Sequence, residues 1–147
     1  AMQEGEFLQA ITVPLAAFGR QVRGYKISKR FDCDISAISA GMAIELDGDI
    51  VKSVRLAYGG MAGTVKRAAQ AEAALTGKPW TQEAVRAAQQ ALALDYTPMT
   101  DMRASNAYRL QVAQNLLQRL WLETRAVAPL ASHATNVFSV LPHAAVV

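Results

Sequence analysis

Residues 42–58 place an Asp47-Gly48-Asp49 turn between two segments in which apolar and polar side chains alternate, and nothing else in the sequence restricts the fold as much. Met42, Ile44 and Leu46 alternate before the turn. After it, Ile50, Val54, Leu56 and Tyr58 are expected on one face, opposite Val51, Ser53, Arg55 and Ala57. A period of two defines strands with one buried face, and Asp-Gly supplies the positive φ that a tight antiparallel connection needs. Two further strands are expected upstream. Residues 7–13 are an apolar and β-branched run stopped by Pro14, and residues 21–27 follow Gly19.

Beyond residue 63 the period changes to that of helices. Residues 64–76 are rich in alanine and end at Gly77-Lys78-Pro79, a helix stop followed by a residue that cannot continue one. Thr81 reads as the N-cap of a helix running to about Leu94, with Glu83 complementing the dipole in its first turn. Ser105 caps the longest helix, expected to reach about Arg125. Tyr108, Val112, Leu116 and Leu120 form its inner face, joined by Ala113 and Leu117. Arg109, Gln111, Gln114, Gln118 and Arg119 are expected on the wet side. Strands first and helices second predict an α+β fold: a small antiparallel sheet of three to four strands packed on a bundle of three helices. The 147 residues suit one domain, its core spanning about residues 7–126 with an irregular tail over 127–147.

Composition narrows the function classes. Hydrophobic residues make up 52% and charged residues 18%, a globular balance. The longest apolar stretches fall well short of the ~20 residues of a membrane span, and no secretory leader is seen. With a net charge of +3 and no interleaved basic and aromatic face, neither a membrane nor a nucleic-acid partner is expected. The single cysteine, Cys33, rules out an intrachain disulfide and any Cys-based zinc or iron–sulfur site, and fits a reducing cytoplasm. Ala1-Met2 reads as the remnant of an engineered start.

No catalytic or metal-binding set emerges from the motifs. Tyr58-Gly59-Gly60-Met61-Ala62-Gly63 is the one Gly-rich stretch. It lacks the Lys-Ser/Thr of a phosphate loop and reads as a strand-to-helix turn. Cys33 has no nearby base, because His133 and His143 both lie in the tail. Asp101-Met102-Arg103 reads as a helix-start carboxylate with a local ion pair. The remaining candidate is residues 26–34, Lys-Ile-Ser-Lys-Arg-Phe-Asp-Cys-Asp, a charged loop between two strands of the kind that carries binding residues, or else a solvated connection.

That loop also carries a family resemblance. Residues 24–36, GYKISKRFDCDIS, resemble a stretch of the FAD-carrying small subunits of bacterial xanthine dehydrogenases. Residues 54–62, ending AYGGMA, and residues 100–125, TDMRASNAYRLQVAQNLLQRLWLETR, resemble later segments of the same family in the same order. The chain is thereby identified as similar to the CO dehydrogenase flavoprotein C-terminal domain, a small antiparallel sheet on a helical bundle. The resemblance implies FAD as cofactor, held mainly by an upstream FAD domain of the same subunit. Iron–sulfur domains of that subunit and a large subunit with the molybdenum cofactor would be the partners, and NAD the electron acceptor. It also implies that Lys26 lies beside the flavin and that Ile27, Ser28, Lys29, Arg30, Asp32 and Asp34 flank the isoalloxazine ring, where charge tunes flavin reactivity. Phe31 and Cys33 depart from animal relatives, which carry charged residues there. Hydroxylases of CO, aldehydes or nicotine-like heterocycles share the domain, and a flavin-free interaction module is the further alternative.

Overall fold

The structure, a computed structural model, describes residues 3–12, 20–30 and 34–135. Four strands form one antiparallel sheet in chain order: β1 (Gln21–Ile27), β2 (Ile38–Asp47), β3 (Ile50–Gly59) and the two-residue β4 (Lys66–Arg67). Three helices follow, α1 (Ala69–Leu75), α2 (Gln82–Asp95) and α3 (Asn106–Thr124), and then a short 3-10 turn at Ser132–Thr135. Strands in the first half and helices in the second give the α+β architecture that the two periods predict. Among the described residues no helix is long and apolar enough to cross a membrane.

The core lies between the inner face of the sheet and the helices. Ile38, Ala40, Met42 and Ile44 of β2 and Val54, Leu56 and Tyr58 of β3 point inward. They meet Leu75 of α1, Val85, Ala88 and Leu92 of α2, and Ala113, Leu117 and Leu120 of α3. Each of the larger aliphatic side chains contributes about 2 kcal/mol by leaving water. The Tyr58 hydroxyl donates to the Ala113 carbonyl at 3.1 Å, so the one polar atom of that ring is satisfied. Thr81 and Ser105 cap α2 and α3 as expected, accepting from the amides of Ala84 and Tyr108. No side chain caps α1 at its own start. Asp95, at the end of α2, accepts instead from the amides of Gln70 and Ala71, both at 3.0 Å.

The hairpin forms where Asp-Gly places it, with Gly48 at φ +58° in the two-residue turn. Its phase departs from simple alternation at one point. Glu45 pairs with Ser53 but Leu46 pairs with Val51, so Lys52 is the extra residue of a β-bulge. Val51 is thereby fully buried and Ile50 is left 41% exposed, the reverse of the expected faces.

One expected strand does not form among the described residues, and one expected helix starts later than its sequence suggests, as α1 at Ala69. Residues 7–12 are exposed and form no strand, and Val13 lies outside the described residues. A segment with no sheet edge to join gains nothing from its β propensity. Residues 64–67 are not the first turn of a helix, because Lys66 pairs with Tyr58 and Arg67 with Ala57. The cause is a buried carboxylate. Glu72 accepts from the Leu56 amide at 2.8 Å and from the Arg67 guanidinium, which fastens the chain along β3 before α1 begins. Replacing Glu72 with alanine leaves the buried Leu56 amide unpaired and should lower the unfolding free energy by about 2 kcal/mol. Urea denaturation followed by circular dichroism reads this, and a loss below about 0.5 kcal/mol would mean that water satisfies the amide instead.

Candidate functional site

The described parts of the loop joining β1 to β2, residues 28–30 and 34–37, lie beside the segment that leads into α3. At its base the Ala37 amide donates to the Ile27 carbonyl at 2.8 Å. The Lys29 ammonium donates to the Met102 carbonyl at 3.2 Å. Between loop and helix start lies an open cavity of about 410 Å³, walled by Ser28, Lys29, Arg103, Ala104, Ser105 and Tyr108.

A buried arginine holds this arrangement. Arg109, 3% exposed, lies one turn inside α3. One terminal nitrogen, Nη1, donates to the carbonyls of Ala37 and Gly60, the latter at 2.8 Å. The other, Nη2, donates to Asp101 Oδ1 at 2.7 Å. A single guanidinium thus joins the β1–β2 loop, the turn after β3, the segment before α3 and α3 itself. Gly60 makes this possible. Its φ is +79°, and a Cβ there would stand 2.5 Å from the Ala37 carbonyl and 3.0 Å from Arg109 Nη1. The neighbouring Gly59 is equally constrained, since its Cβ would meet Ser39 Oγ at 2.6 Å. The Gly-rich stretch is therefore a packing device and a turn, but it leads from β3 into β4 and not directly into a helix as expected.

Asp101 does more than start a helix. Besides Arg109 it accepts from the amides of Arg103 at 2.8 Å and Ala104 at 3.2 Å. The Arg103 amide, then the Ala104 amide and the Arg109 guanidinium, hold its carboxyl down at about 2. The expectation that Arg109 faces water is corrected here. It is in phase with Ala113, Leu116, Leu117 and Leu120 on the buried side, whereas Tyr108 is 48% exposed. That phase was present in the spacing. What hid it was the residue type, because a buried guanidinium requires acceptors from three distant segments.

The anchor of β1 is a second polar cluster. Glu123 of α3 accepts from Arg23 at 2.9 Å, from the Tyr25 hydroxyl at 3.0 Å and from Arg119 at 2.7 Å, while the Arg119 guanidinium lies over the Tyr25 ring. Burial first, then the bond to Glu123, push the Tyr25 hydroxyl well above its ordinary pKa. With Tyr25 fixed inward, Lys26 is turned to the outer face of the sheet and is exposed. Ile27 packs on the edge of the core. Ser28 and Lys29 wall the cavity, whereas Arg30 and Asp34 are exposed to solvent. Asp32, with Phe31 and Cys33, lies outside the described residues. The structure thus brings Ser28 and Lys29 together with Arg103, Ser105 and Tyr108, read from the sequence as a local ion-pair partner, an N-cap and an inner-face residue, and sets Lys26 apart on the outer face of the sheet.

Residues 23–124 match the family of the CO dehydrogenase flavoprotein C-terminal domain. The chain belongs to that family. Within it, a xanthine dehydrogenase of Emericella nidulans is 38% identical over 86 residues, covering 57% of this chain and 6% of the relative. A putative xanthine dehydrogenase FAD-binding subunit of Escherichia coli is 29% identical over 71% of this chain and 36% of its own length. The solved CO dehydrogenase of Hydrogenophaga pseudoflava superposes with a TM-score of 0.64 at 31% identity, covering 70% of this chain and 36% of that one. This family domain therefore spans well under half the length of the curated relatives it matches.

The arginine clamp is testable through pH. The folded pKa of Asp101 is depressed, so the native state binds fewer protons than the unfolded chain as acid is added. The stability from Asp101 is complete above its ordinary pKa near 4 and is lost as pH falls toward about 2. Urea midpoints measured from pH 5 to pH 2 should fall across that window in the wild type and less in Asp101→Asn. Arg109→Met, which strands two carbonyls and a carboxylate, should cost about 3 kcal/mol at neutral pH.

Proposed function

We propose that the chain is the C-terminal domain of the FAD subunit of a molybdenum hydroxylase and that it forms one wall of the flavin site. The observation that carries this reading is that the family match runs through β1 and the clamped loop, the part of the domain where exposed cations are presented on fixed backbone. FAD, when bound, supplies the redox chemistry that links a donor centre to an electron acceptor. The chain's own part is to position and to bias. Lys26, Lys29 and Arg30 give the wall positive charge. Asp34 is the exposed carboxylate beside them, and Asp101 is already engaged by Arg109 and Arg103. Lys26 has no carboxylate partner among the described residues, so its charge is available to a ligand or a facing surface. A cation beside the ring favours the negative charge that a flavin gains on reduction.

The described residues fit a wall better than a complete pocket. The Gly-rich stretch is closed by Ala37 and Arg109, and the first amides of α3 are taken by Thr100, Asn106 and Ser105, so neither offers a phosphate cradle. The finer reading is a xanthine dehydrogenase. Purine oxidation at molybdenum on a large subunit would send electrons through iron–sulfur clusters to FAD and then to NAD in the cytoplasm. Two relatives of that name and the YKISKRFD and TDMR wording support it.

Titration of the isolated chain with FAD, by calorimetry and flavin fluorescence, should give binding weaker than about micromolar, lost in Lys26→Ala. Tight binding independent of Lys26 would place a whole flavin pocket in this chain and defeat the division of labour. In the complete subunit, Lys26→Ala should lower the flavin midpoint potential, and an unchanged potential would remove Lys26 from the site.

A further inference from the structure

An open cavity of about 880 Å³ lies at the hairpin end of the sheet. Strand β1 runs from Gln21 in its wall to Ile27, where the charged loop begins, so about 20 Å of strand separates the two places. The floor of the cavity is aromatic and fixed. Trp80, 7% exposed, donates from Nε1 to Thr124 Oγ1 at 2.9 Å, and Trp121 donates from Nε1 to the Trp80 carbonyl at 3.2 Å. The Trp80 amide donates to the Asp49 carbonyl at 2.7 Å, which ties the floor to the hairpin turn. With both indole N–H groups engaged, the rings offer apolar surface to whatever enters.

The turn that follows α3 makes the opposite wall. Ala128 stands at φ +49°, a left-handed backbone that alanine rarely adopts, and Arg125 Nε donates to its carbonyl at 3.0 Å. The Arg125 guanidinium lies over the Trp121 ring, 5.1 Å from its centre. Backbone strain of this kind persists where the surroundings over-determine it, and it gathers at ligand clamps. Residues 125–128 follow the family match over 23–124, so this wall is not part of the matched domain.

On a chain of net charge +3 the rim of the cavity is acidic. Asp49 and Glu83 line it, and both are exposed. The Asp49 carboxylate makes no hydrogen bond or ion pair among the described residues. Glu83 is held below the usual carboxylate range, first by its own amide and then by the Thr81 hydroxyl, so it is charged at neutral pH. Lys78 and Arg86 are near in sequence but do not line the cavity. Arg125, the only cation of the wall among the described residues, is folded onto Trp121. An apolar floor below two carboxylates fits an apolar group with a positive charge beside it.

We propose that this cavity docks a short polypeptide segment of a partner chain. An apolar anchor of that segment sits between Trp80, Trp121 and the 125–128 turn, and a neighbouring lysine or arginine pairs with Asp49 and Glu83. Because the cavity is open, a side chain can enter while its backbone runs along the rim. The inference goes beyond the flavin reading and shares no residue with the flavin wall, so either can fail without the other.

Trp80 and Trp121 are the only tryptophans of the chain, so intrinsic tryptophan emission reports on this cavity alone. Titration of the 147-residue chain with acetyl-Leu-Phe-Arg-amide should shift that emission with a Kd of about a millimolar or tighter. Acetyl-Leu-Phe-Glu-amide should bind about tenfold more weakly. Asp49→Asn combined with Glu83→Gln should cost the arginine peptide about tenfold and erase its advantage over the glutamate peptide. Ala128→Val, whose β-branched side chain cannot hold the left-handed turn, should weaken both peptides. Equal affinity for the two peptides, or an arginine peptide indifferent to these substitutions, would overturn the proposal. So would phenethylammonium binding as tightly as the peptide, which would give the cavity to a small organic amine. A dimer in sedimentation that the Asp49 and Glu83 substitutions disperse would overturn it too, and would give the cavity to a second copy.

Discussion

The guanidinium of Arg109 is the point on which the arrangement of the sheet end depends. A buried charge is tolerated only when its hydrogen-bonding capacity is met by acceptors of fixed geometry, and a planar fork demands more of its surroundings than an ammonium does. Arg109 finds two carbonyls and one carboxylate, each on a different segment. These acceptors are far apart in sequence, so satisfying one side chain fixes the relative positions of the β1–β2 loop, the turn after β3 and the entry to α3. The Nε atom is left without an acceptor among the described residues, so the two terminal nitrogens carry the whole of the compensation. Gly60 belongs to the same constraint, because any side chain at that position would occupy the space of the Ala37 carbonyl. The turn residue, the loop carbonyl and the helix arginine are one device.

That device explains how a three-strand face with little bulk can present a defined loop. The inner face of the sheet is held by large side chains against the helices. The outer face is held by the backbone ladder and, around Glu45, by its bonds to Arg20, Lys52 and Ser53. Strand alternation assigns neighbouring residues to opposite tasks: Tyr25 anchors β1 to Glu123 and Arg119, and Lys26 is left for whatever lies outside. Strand β1 is an edge strand with modest burial, so its position depends on this polar anchor more than on apolar contact.

Features legible in the sequence were those fixed by near neighbours. The Asp-Gly hairpin and the Thr81 and Ser105 caps depend on residues within a few positions, and each formed where expected. What could not be read depended on partners distant in the chain. The bulge at Lys52 inverts Ile50 and Val51, β4 replaces a helical turn because Glu72 reaches back to Leu56 and Arg67, and Arg109 enters the core because the remote carbonyls of Ala37 and Gly60, with the nearer Asp101, await it. The loop of residues 26–34 was identified by its charge. Its other wall, Arg103, Ser105 and Tyr108, lies some seventy residues further along the chain and becomes its neighbour only through the fold.

The distribution of charge carries the argument one step beyond the fold. Glu45, Glu72, Asp95, Asp101 and Glu123 are each consumed by partners within the chain. Lys26, Arg30 and Arg55 have no partner among the described residues. Lys78 and Arg86 are exposed at other places on the surface, so the outer sheet face and the adjoining loop hold part of the exposed positive charge of this molecule. Exposed like charges at fixed positions contribute nothing to the stability of the chain that bears them, and they raise the rate and selectivity with which an oppositely charged surface arrives. The carboxylates that hold the fold are thus spent on contacts within the chain, and cations such as Lys26 and Arg55 are left over for contacts outside it.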